Sequence, residues 1–243
     1  MTAALKQQRD AGLIRPLAAG PLDVIGDVHG EIEALAALLR ELGYDDEARH
    51  PDGRTLVFVG DLCDRGPDSI AVMGRVQRWI AAGRAQCVLG NHELNLLRMD
   101  HKDGNGWFFA GQPHLDDGNL RYRGCRPATP AEQSDMLAFL DTLPLVLERD
   151  DLIVVHACPD AASLAAARSS DALSALDFDR RQKQQLDTRL AALDAQPDVQ
   201  AERVRYRRFE TDRAASPEVL PALAAREALH QNGNAARVLT SGL

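Results

Sequence analysis

The sequence predicts a layered α/β fold in which short buried strands alternate with amphipathic helices. Short apolar runs and helical patterns alternate up to about residue 160, and glycines mark the ends of several of these segments. The chain has 243 residues, of which 45% are hydrophobic, and this is enough to bury a substantial core without disulfides. Because helices that cross between strands give parallel pairing, we expect parallel strands covered by helices.

The first half of the chain contains five predicted elements. The apolar run at 22–25 predicts a strand that ends before a glycine. Residues 31–42 carry apolar side chains at helical spacing and predict a helix. A buried-strand run at 55–59 is followed by a second amphipathic pattern over 68–82 and by a third strand at 87–89. Together these segments form a strand–helix–strand–helix–strand unit.

The second half adds a hairpin and two segments of different composition. The runs at 145–147 and 152–155 flank a polar turn and predict the hairpin. Residues 100–128 are rich in glycine and aromatic residues, which predicts a long, lid-like loop. Residues 160–215 are rich in alanine, arginine, aspartate and glutamine and predict an inserted set of charged helices. We expect residues 1–243 to form a single domain.

Charge and composition argue against several classes of protein. The formal net charge is −8, which disfavours broad electrostatic binding to nucleic acid or to an anionic membrane. No apolar run approaches the roughly 18–20 residues of a membrane span. The four cysteines form no CxxC pair, and residues 1–16 contain no apolar signal-peptide core. These features predict reduced thiols and a cytoplasmic location.

Two motifs place metal-ligating side chains at the ends of the first two strands. In Gly-Asp-Val-His-Gly, over residues 26–30, Asp27 and His29 project to the same side of an extended chain. Carboxylate oxygen and imidazole nitrogen suit a divalent first-row metal. The second motif is Gly-Asp-Leu-Cys-Asp-Arg-Gly over residues 60–66, and its arginine has a planar fork that can hold phosphate oxygens. Ligands bind at the carboxyl ends of strands in open α/β sheets.

Further polar side chains follow the third strand and the hairpin. The motif Gly-Asn-His-Glu over residues 90–93 offers the amide oxygen of Asn91 as a ligand and leaves His92 for acid–base chemistry. His156 comes directly after the last strand of the hairpin. Each feature alone fits an ordinary turn or a hydrogen-bonded core histidine, but their recurrence at successive strand ends is specific.

These motifs resemble the calcineurin-like metallophosphoesterase family, and within it the phosphoprotein phosphatase branch of bacterial type. The family pattern is GDxHG, GDxxDRG and GNHE, then a histidine at a strand end, and the resemblance covers residues 22–157. It implies a metallophosphoesterase-type β-sandwich flanked by helices. It also implies a hydrolase with two divalent metal ions, manganese being expected first, with iron, zinc, cobalt or nickel as alternatives.

The resemblance implies a set of metal ligands. Asp27 and His29 would bind the first metal, and Asp61 would bridge the two metals. Asn91 and His156 would bind the second metal. A hydroxide shared by the two metals would attack phosphorus in line, without a covalent phosphoenzyme.

The same resemblance implies three catalytic residues. His92 would act as the general acid that protonates the leaving oxygen. Asp64 would orient and charge-stabilise the His92 imidazole. Arg65 would neutralise the charge that develops on the phosphoryl oxygens.

The sequence departs from the family in its last metal ligand. The family uses one more histidine after the position of His156, and only His230 follows in this chain. His230 lies near the end of a predicted helix, where histidines also serve as capping groups. The alternative is a ligand beyond residue 243, with residues 238–240 as the start of another strand. On that second expectation the chain is truncated at its C-terminus and its metal site is incomplete.

Three functions remain open from the sequence. The first is hydrolysis of phosphomonoesters, including phosphoserine and phosphothreonine in proteins, which Asp64 favours. The alternative is hydrolysis of dinucleoside polyphosphates such as diadenosine tetraphosphate, to whose hydrolases the stretch 60–97 is also similar. In that case Trp107, Phe108 and Phe109 would either stack on a base or pack in the core or lid. A third possibility is a weakly active or non-catalytic phosphate-binding module. The expected partner is a phosphorylated small molecule, nucleotide or phosphoprotein, with no nucleic acid and no membrane.

Overall fold

The computed structural model describes residues 12–102, 104–109, 125–211 and 219–243, with only the backbone described for 209–211. The strands are β1 (Ile14–Pro16), β2 (Leu22–Ile25), β3 (Thr55–Phe58), β4 (Ala85–Cys87), β5 (Val146–Arg149) and β6 (Leu152–Val154). The helices are α1 (Ile32–Glu41), α2 (Ser69–Ala81), α3 (Asn91–Leu97), α4 (Pro130–Leu140), α5 (Ala161–Arg168), α6 (Ala175–Asp194), α7 (Pro197–Thr211), α8 (Pro221–Asn232) and α9 (Ala235–Ser241).

The first three predicted strands form one parallel sheet in the order β2-β3-β4. Strand β3 is central, and its residues from Leu56 to Phe58 are wholly buried. Helix α1 crosses from β2 to β3 and helix α2 crosses from β3 to β4, as parallel pairing requires. The predicted strand–helix–strand–helix–strand unit is therefore confirmed.

The second sheet combines the N-terminal strand with the predicted hairpin. Its order is β1-β5-β6, with β1 parallel to β5 and β5 antiparallel to β6. The turn of the hairpin is shorter than the sequence suggests, because Arg149 and Leu152 already pair across it. Arg149 also donates hydrogen bonds to the carbonyls of Ala18 and Gly20, which ties the hairpin to the loop after β1.

The two sheets pack face to face over a small apolar cluster. Its buried members come from both sheets and their flanking loops and are Leu17, Val57, Val88, Leu147 and Val154. Side chains alternate along a strand, so Leu56 and Phe58 point away from Val57 into a larger core under the helices. The result is a mixed α/β sandwich flanked by helices, and this fold class is the one the sequence predicts.

Strand β4 lies two residues earlier than its prediction at 87–89. Its pairing with β3 begins at Ala85 and continues through Cys87. The amide of Leu89 instead donates a 2.8 Å hydrogen bond to the carbonyl of Pro144, and this partner lies outside the sheet. The apolar run at 87–89 therefore spans the end of a strand and the crossing toward the second sheet.

The strand expected at 238–240 is wrong, because these residues belong to helix α9. The Asn234 side chain accepts a 3.3 Å hydrogen bond from the amide of Arg237 and caps the helix N-terminus. Two alanines follow the cap and favour the helix. Val238 and Leu239 are buried in the large core or beside it, as apolar residues of an amphipathic helix are.

The structure describes different shares of the two predicted insertions, the lid-like loop at 100–128 and the charged segment at 160–215. Of the lid-like loop, residues 103 and 110–124 lie outside the described residues. The described parts, 100–102, 104–109 and 125–128, carry neither helix nor strand, and Trp107 is buried. Helices α5, α6 and α7 occupy the described part of the charged segment. The exact bounds of both insertions stay predictions. Within the described ranges no helix is long and apolar enough to cross a membrane.

Candidate active site

The candidate site forms where the strands of the parallel sheet end. Parallel strands direct their carboxyl ends to one edge, so the loops after β2, β3 and β4 meet there. The amides of Val28 and His29 donate hydrogen bonds of 3.0 and 2.9 Å to the carbonyl of Asp61, which locks the first loop onto the second. The segment after β6 brings His156 to the same edge, where its Nδ1 contacts the carbonyl of Val59.

Asp61 is the centre of the site and is 4% exposed. Its Oδ2 atom lies 3.8 Å from Nε2 of His29, 3.9 Å from Nε2 of His92 and 3.5 Å from Nε2 of His156. The other carboxylate oxygen accepts a 3.1 Å hydrogen bond from the amide of His92. A single buried carboxylate thus faces three imidazoles, which is the position a bridging ligand needs.

Two groups of ligand atoms share Asp61. One group consists of His29, Asp61 and His92, and the other of Asp27, Asp61 and His156, each with its ligand atoms within 4.8 Å of one another. Asn91 adds its amide to the second group, 3.1 Å from Nε2 of His156. The structure therefore brings together all five side chains that the sequence predicts as metal ligands, with Asp27 as the exposed member.

Backbone carbonyls fix the orientation of two of the imidazoles. Nδ1 of His29 lies 2.9 Å from the carbonyl of Cys63, and Nδ1 of His156 lies 2.8 Å from the carbonyl of Val59. A carbonyl can only accept, so each Nδ1 carries a proton and Nε2 is the nitrogen directed into the site, where its lone pair is available once a cation replaces any proton held there. This donor set of carboxylates, an amide and neutral imidazoles fits divalent first-row cations.

The acidic environment also controls protonation at the centre. Burial would raise the pKa of Asp61, but its contact with His156 and the charges of His156 and His92 outweigh burial and lower it. Burial would lower the pKa of His156, but the interaction with Asp61 raises this pKa to about 9. The carboxylate therefore attracts positive charge, whether a proton or a cation.

His92, the predicted general acid, is held in a buried chain of hydrogen bonds. Its Nδ1 lies 2.6 Å from Oδ2 of Asp64, which is wholly buried. The indole Nε1 of Trp107 donates a 2.8 Å hydrogen bond to the other oxygen of Asp64. Burial would lower the pKa of His92, but the Asp64 hydrogen bond and the neighbouring carboxylates raise it. A raised pKa favours the protonated imidazole, which is the form that can donate a proton.

Arg65 is the exposed member of the site. Its guanidinium nitrogens lie 3.0 Å from Nε2 of His29 and 3.2 Å from Nε2 of His92, so the fork spans the gap between the two imidazoles. A cationic fork in this position is ready to take phosphate oxygens that approach from solvent.

Glu93 is a residue of the site that the sequence reasoning left without a role. Its buried carboxylate accepts hydrogen bonds from the amides of Asp61, Leu62 and Gly90. It also accepts from the Cys63 amide and thiol, both at 3.3 Å. Burial, together with the charge of Asp61, raises the pKa of Glu93. This carboxylate fixes the loop that carries Asp61, and the available signal was its place at the end of the Gly-Asn-His-Glu motif.

The loops of the site hold unusual backbone conformations. His29, Asp61, Asp64 and Arg65 all have positive φ, between 46° and 70°. Left-handed backbone at a non-glycine residue costs on the order of 1 kcal/mol or more, and such strain collects at functional sites. A Cβ on Gly66 would lie 2.1 Å from the carbonyl oxygen of His29, so only glycine permits this approach of the two loops.

The structure does not bring His230 to the site. It lies in α8 with an exposed side chain, and its Nδ1 is 3.8 Å from a carboxylate oxygen of Glu227. Among the described residues, neither group of metal-ligating atoms includes it. The structure therefore gives no support to the alternative in which His230 supplies the last ligand.

Comparison with known proteins agrees with the site. A model of the family described as calcineurin-like phosphoesterase matches residues 20–175, which is more than half of the chain. This chain belongs to the calcineurin-like phosphoesterase family. The matched range contains every predicted ligand of the site, and the resemblance inferred from the motifs is confirmed.

Curated proteins similar to this chain include two that are named asymmetrical bis(5'-nucleosyl)-tetraphosphatase PrpE. The one from Bacillus velezensis is 34% identical over 146 residues, covering 56% of this chain and 55% of that protein. The one from Halalkalibacterium halodurans is 47% identical over 79 residues, covering 31% and 32%. The chain thus spans about half the length, or less, of these curated relatives.

Among solved structures, a metallophosphoesterase from Sphaerobacter thermophilus is 23% identical to this chain, with a TM-score of 0.34. The alignment covers 56% of this chain and 46% of that structure.

Proposed function

We propose that this chain is a metal-dependent hydrolase of phosphoric ester or anhydride bonds. The observation that carries the proposal is the convergence of five ligand side chains around the buried Asp61, next to the His92–Asp64 pair. A nucleophile site and a proton donor at one sheet edge are the two parts that hydrolysis at phosphorus requires.

In this proposal two divalent cations share Asp61. Asp27 and His29 hold the first cation, and Asn91 and His156 hold the second. When bound, the cations supply positive charge to the phosphate oxygens and lower the pKa of water at the site. Manganese is the first choice of metal, because mixed nitrogen and oxygen ligands suit it, with iron, zinc, cobalt or nickel as alternatives.

Side chains of the protein neutralise charge on the substrate and deliver a proton to the leaving group. Arg65 turns its guanidinium toward the non-bridging oxygens of the substrate and neutralises their charge. His92 delivers a proton from Nε2 to the leaving oxygen. Asp64 stabilises the imidazolium through Nδ1, and Trp107 holds Asp64 in place.

We propose dinucleoside polyphosphates as the first substrate class. The support is the name of the similar bacterial proteins, bis(5'-nucleosyl)-tetraphosphatase, which favours the second of the functions left open by the sequence over the first. Trp107 does not serve as a base-stacking platform in this proposal, since its ring is buried and its nitrogen is bound to Asp64. The action takes place in the cytoplasm, as the composition predicts.

Phosphomonoesters, including phosphoserine and phosphothreonine in proteins, are the second candidate. One observation favours them, namely the buried His92–Asp64–Trp107 chain that serves proton delivery. An alkoxide leaving group needs a proton, whereas a nucleotide leaving group departs with much less help.

The test compares three substrates in the presence of manganese. Diadenosine tetraphosphate, a phosphoserine peptide and p-nitrophenyl phosphate are incubated with the chain, and products are separated by chromatography. We expect fastest turnover of diadenosine tetraphosphate to AMP and ATP, and loss of turnover in Asp61→Asn but not in the surface control Asp46→Asn. Bound manganese and phosphate without turnover of any substrate would contradict hydrolase function and leave a phosphate-binding module.

A further inference from the structure

The last turn of helix α9 lies against the residues proposed to hold the second cation. The carbonyl of Leu239 accepts a 2.9 Å hydrogen bond from the amide of Ala157, which follows His156 in the chain. The next carbonyl, that of Thr240, lies 3.3 Å from the side-chain amide atom of Asn91 that faces the site. Thr240 is 1% exposed, so its carbonyl belongs to the interior.

This carbonyl needs a partner from outside its own helix. The last four carbonyls of an α-helix have no intrahelical donor, and a buried acceptor without a partner is costly. The Thr240 hydroxyl does not help, because it donates to the carbonyl of Ala236 one turn earlier. The group that Thr240 meets is the Asn91 amide at the metal-ligand cluster.

Three acceptor oxygens, with Nε2 of His156 beside them, face one another at this point. The site-facing atom of the Asn91 amide, its oxygen in the present orientation, lies 3.1 Å from Nε2 of His156. The same atom lies 3.3 Å from both Oδ2 of Asp61 and the carbonyl oxygen of Thr240. Oδ2 of Asp61 is in turn 3.5 Å from Nε2 of His156. Acceptors repel each other at these distances unless a proton or a cation lies between them.

Two arrangements relieve this repulsion. In the first, the Asn91 amide turns over and its nitrogen donates to the three acceptors, which withdraws its oxygen from the site. In the second, a cation lies among the four atoms. Ligands about 2.1 Å from a common ion lie roughly 3.0–3.4 Å apart in octahedral or tetrahedral geometry. The separations of 3.1 and 3.3 Å from the Asn91 atom fall in that range, and the 3.5 Å between Oδ2 of Asp61 and Nε2 of His156 lies just above it.

We propose that the main-chain carbonyl oxygen of Thr240 is a ligand of the second cation, together with Asp61, Asn91 and His156. The carbonyl oxygen adds a fourth ligand atom to those of the three side chains. Carbonyl oxygen suits manganese and other hard divalent ions, and the carbonyl end of a helix attracts positive charge. The inference rests on the proposed metal-dependent function but concerns metal binding alone.

A pair of variants at Ser241 separates the carbonyl from the rest of the helix. Ser241 is exposed, and a proline there disfavours helical backbone at the preceding residue. Ser241→Pro therefore changes the backbone conformation of Thr240, and with it the direction of the Thr240 carbonyl. The buried side chains of α9 stay the same. Ser241→Ala is the matched control, because it keeps the helical backbone.

Manganese binding is measured by isothermal titration calorimetry, with circular dichroism to check the fold. We expect Ser241→Pro to weaken the second binding event at least tenfold and to leave the first unchanged. Ser241→Ala and Thr240→Ala, which keep the carbonyl in place, should bind as the unaltered chain does. Equal affinities in Ser241→Pro and Ser241→Ala would overturn the proposal.

If the proline variant fails to fold, a crystal structure of the unaltered manganese-loaded chain tests whether the Thr240 carbonyl is a ligand. The expected result is anomalous density within about 2.2 Å of the Thr240 carbonyl oxygen. A second ion that contacts Asn91 but lies beyond bonding distance of this oxygen, or no second ion at saturation, would overturn the assignment. A chain that binds both ions through Thr240 yet hydrolyses nothing would refute the proposed function and not this inference.

Discussion

The indole nitrogen of Trp107 donates a 2.8 Å hydrogen bond to Oδ1 of Asp64, whose other oxygen lies 2.6 Å from Nδ1 of His92. All three side chains are buried. Trp107, from the glycine- and aromatic-rich segment, thus holds the carboxylate that is the partner of the proposed general acid. Among the described residues, Trp107 itself makes no hydrogen bond to the His92 imidazole or to the metal-ligand cluster.

Trp107→Phe removes this hydrogen bond and keeps most of the packing. The freed Asp64 oxygen is left without its donor, so His92 is held less firmly in place. We expect kcat to fall roughly tenfold, in line with the usual effect of removing a partner behind a site residue. The measurement is kcat as a function of pH. The acidic and basic limbs of this pH profile should shift as well. Phe108→Leu is the control, because Phe108 is a buried neighbour of Trp107 that packs in the core. Equal loss of activity in both variants would indicate a packing effect only.

His92→Ala tests proton delivery to the leaving group. We expect kcat to fall about 10²–10⁴-fold for a phosphoserine peptide, whose leaving alkoxide needs a proton. The loss should be much smaller for p-nitrophenyl phosphate, because p-nitrophenolate leaves without one. Manganese binding is measured in parallel and should still show two ions. The same loss for both phosphate esters would argue that His92 binds metal or substrate instead of donating a proton.

Glu93→Gln tests the buried support of the metal-bridging loop. The substitution places an NH₂ group among backbone N–H donors that now bind a carboxylate oxygen. We expect the free energy of unfolding to fall by about 3 kcal/mol, since buried donors lose a charged acceptor. Urea denaturation gives this value. Glu41→Gln, an exposed substitution in α1, should change it by less than about 0.5 kcal/mol.

The Asp23–Arg54 pair predicts part of the acid sensitivity of the fold. Hydrogen bonds from Arg54, and a further one from Tyr44, lower the pKa of Asp23 to about 2 despite some desolvation. The folded state therefore binds this proton less readily than the unfolded chain, where the pKa is near 3.8. The stability that the pair contributes is present above about pH 4 and is lost as the pH falls toward 2.

The measurement compares urea midpoints of the unaltered chain and Asp23→Asn between pH 7 and pH 2. The difference between the two midpoints should be constant above pH 5 and should shrink as the pH falls below 4. A difference between the urea midpoints that does not change with pH would contradict this prediction. It would mean that the charge of Asp23 contributes nothing to stability and that the packing of its side chain accounts for the difference.

Much of the fold follows from local patterns in the sequence. The run at 22–25 coincides with β2, and the helical spacing over 31–42 contains α1. These predictions succeed because burial of one face imposes a period on the residues themselves. The boundary of β4 and the helical state of 238–240 could not be predicted in this way. A partner from a distant loop ends β4, and α9 depends on its cap and on the core it covers.

The sequence by itself determined which side chains converge. Asp27, Asp61 and Asn91 each follow a strand of one parallel sheet, and strand direction alone brings such ends to one edge. Only the tertiary structure decided what supports them. Trp107 and the Thr240 carbonyl reach the site across long stretches of chain, and nothing in their local sequence encodes these contacts. Periodicity reports burial, whereas a hydrogen bond between distant segments exists only once the core has set their distance.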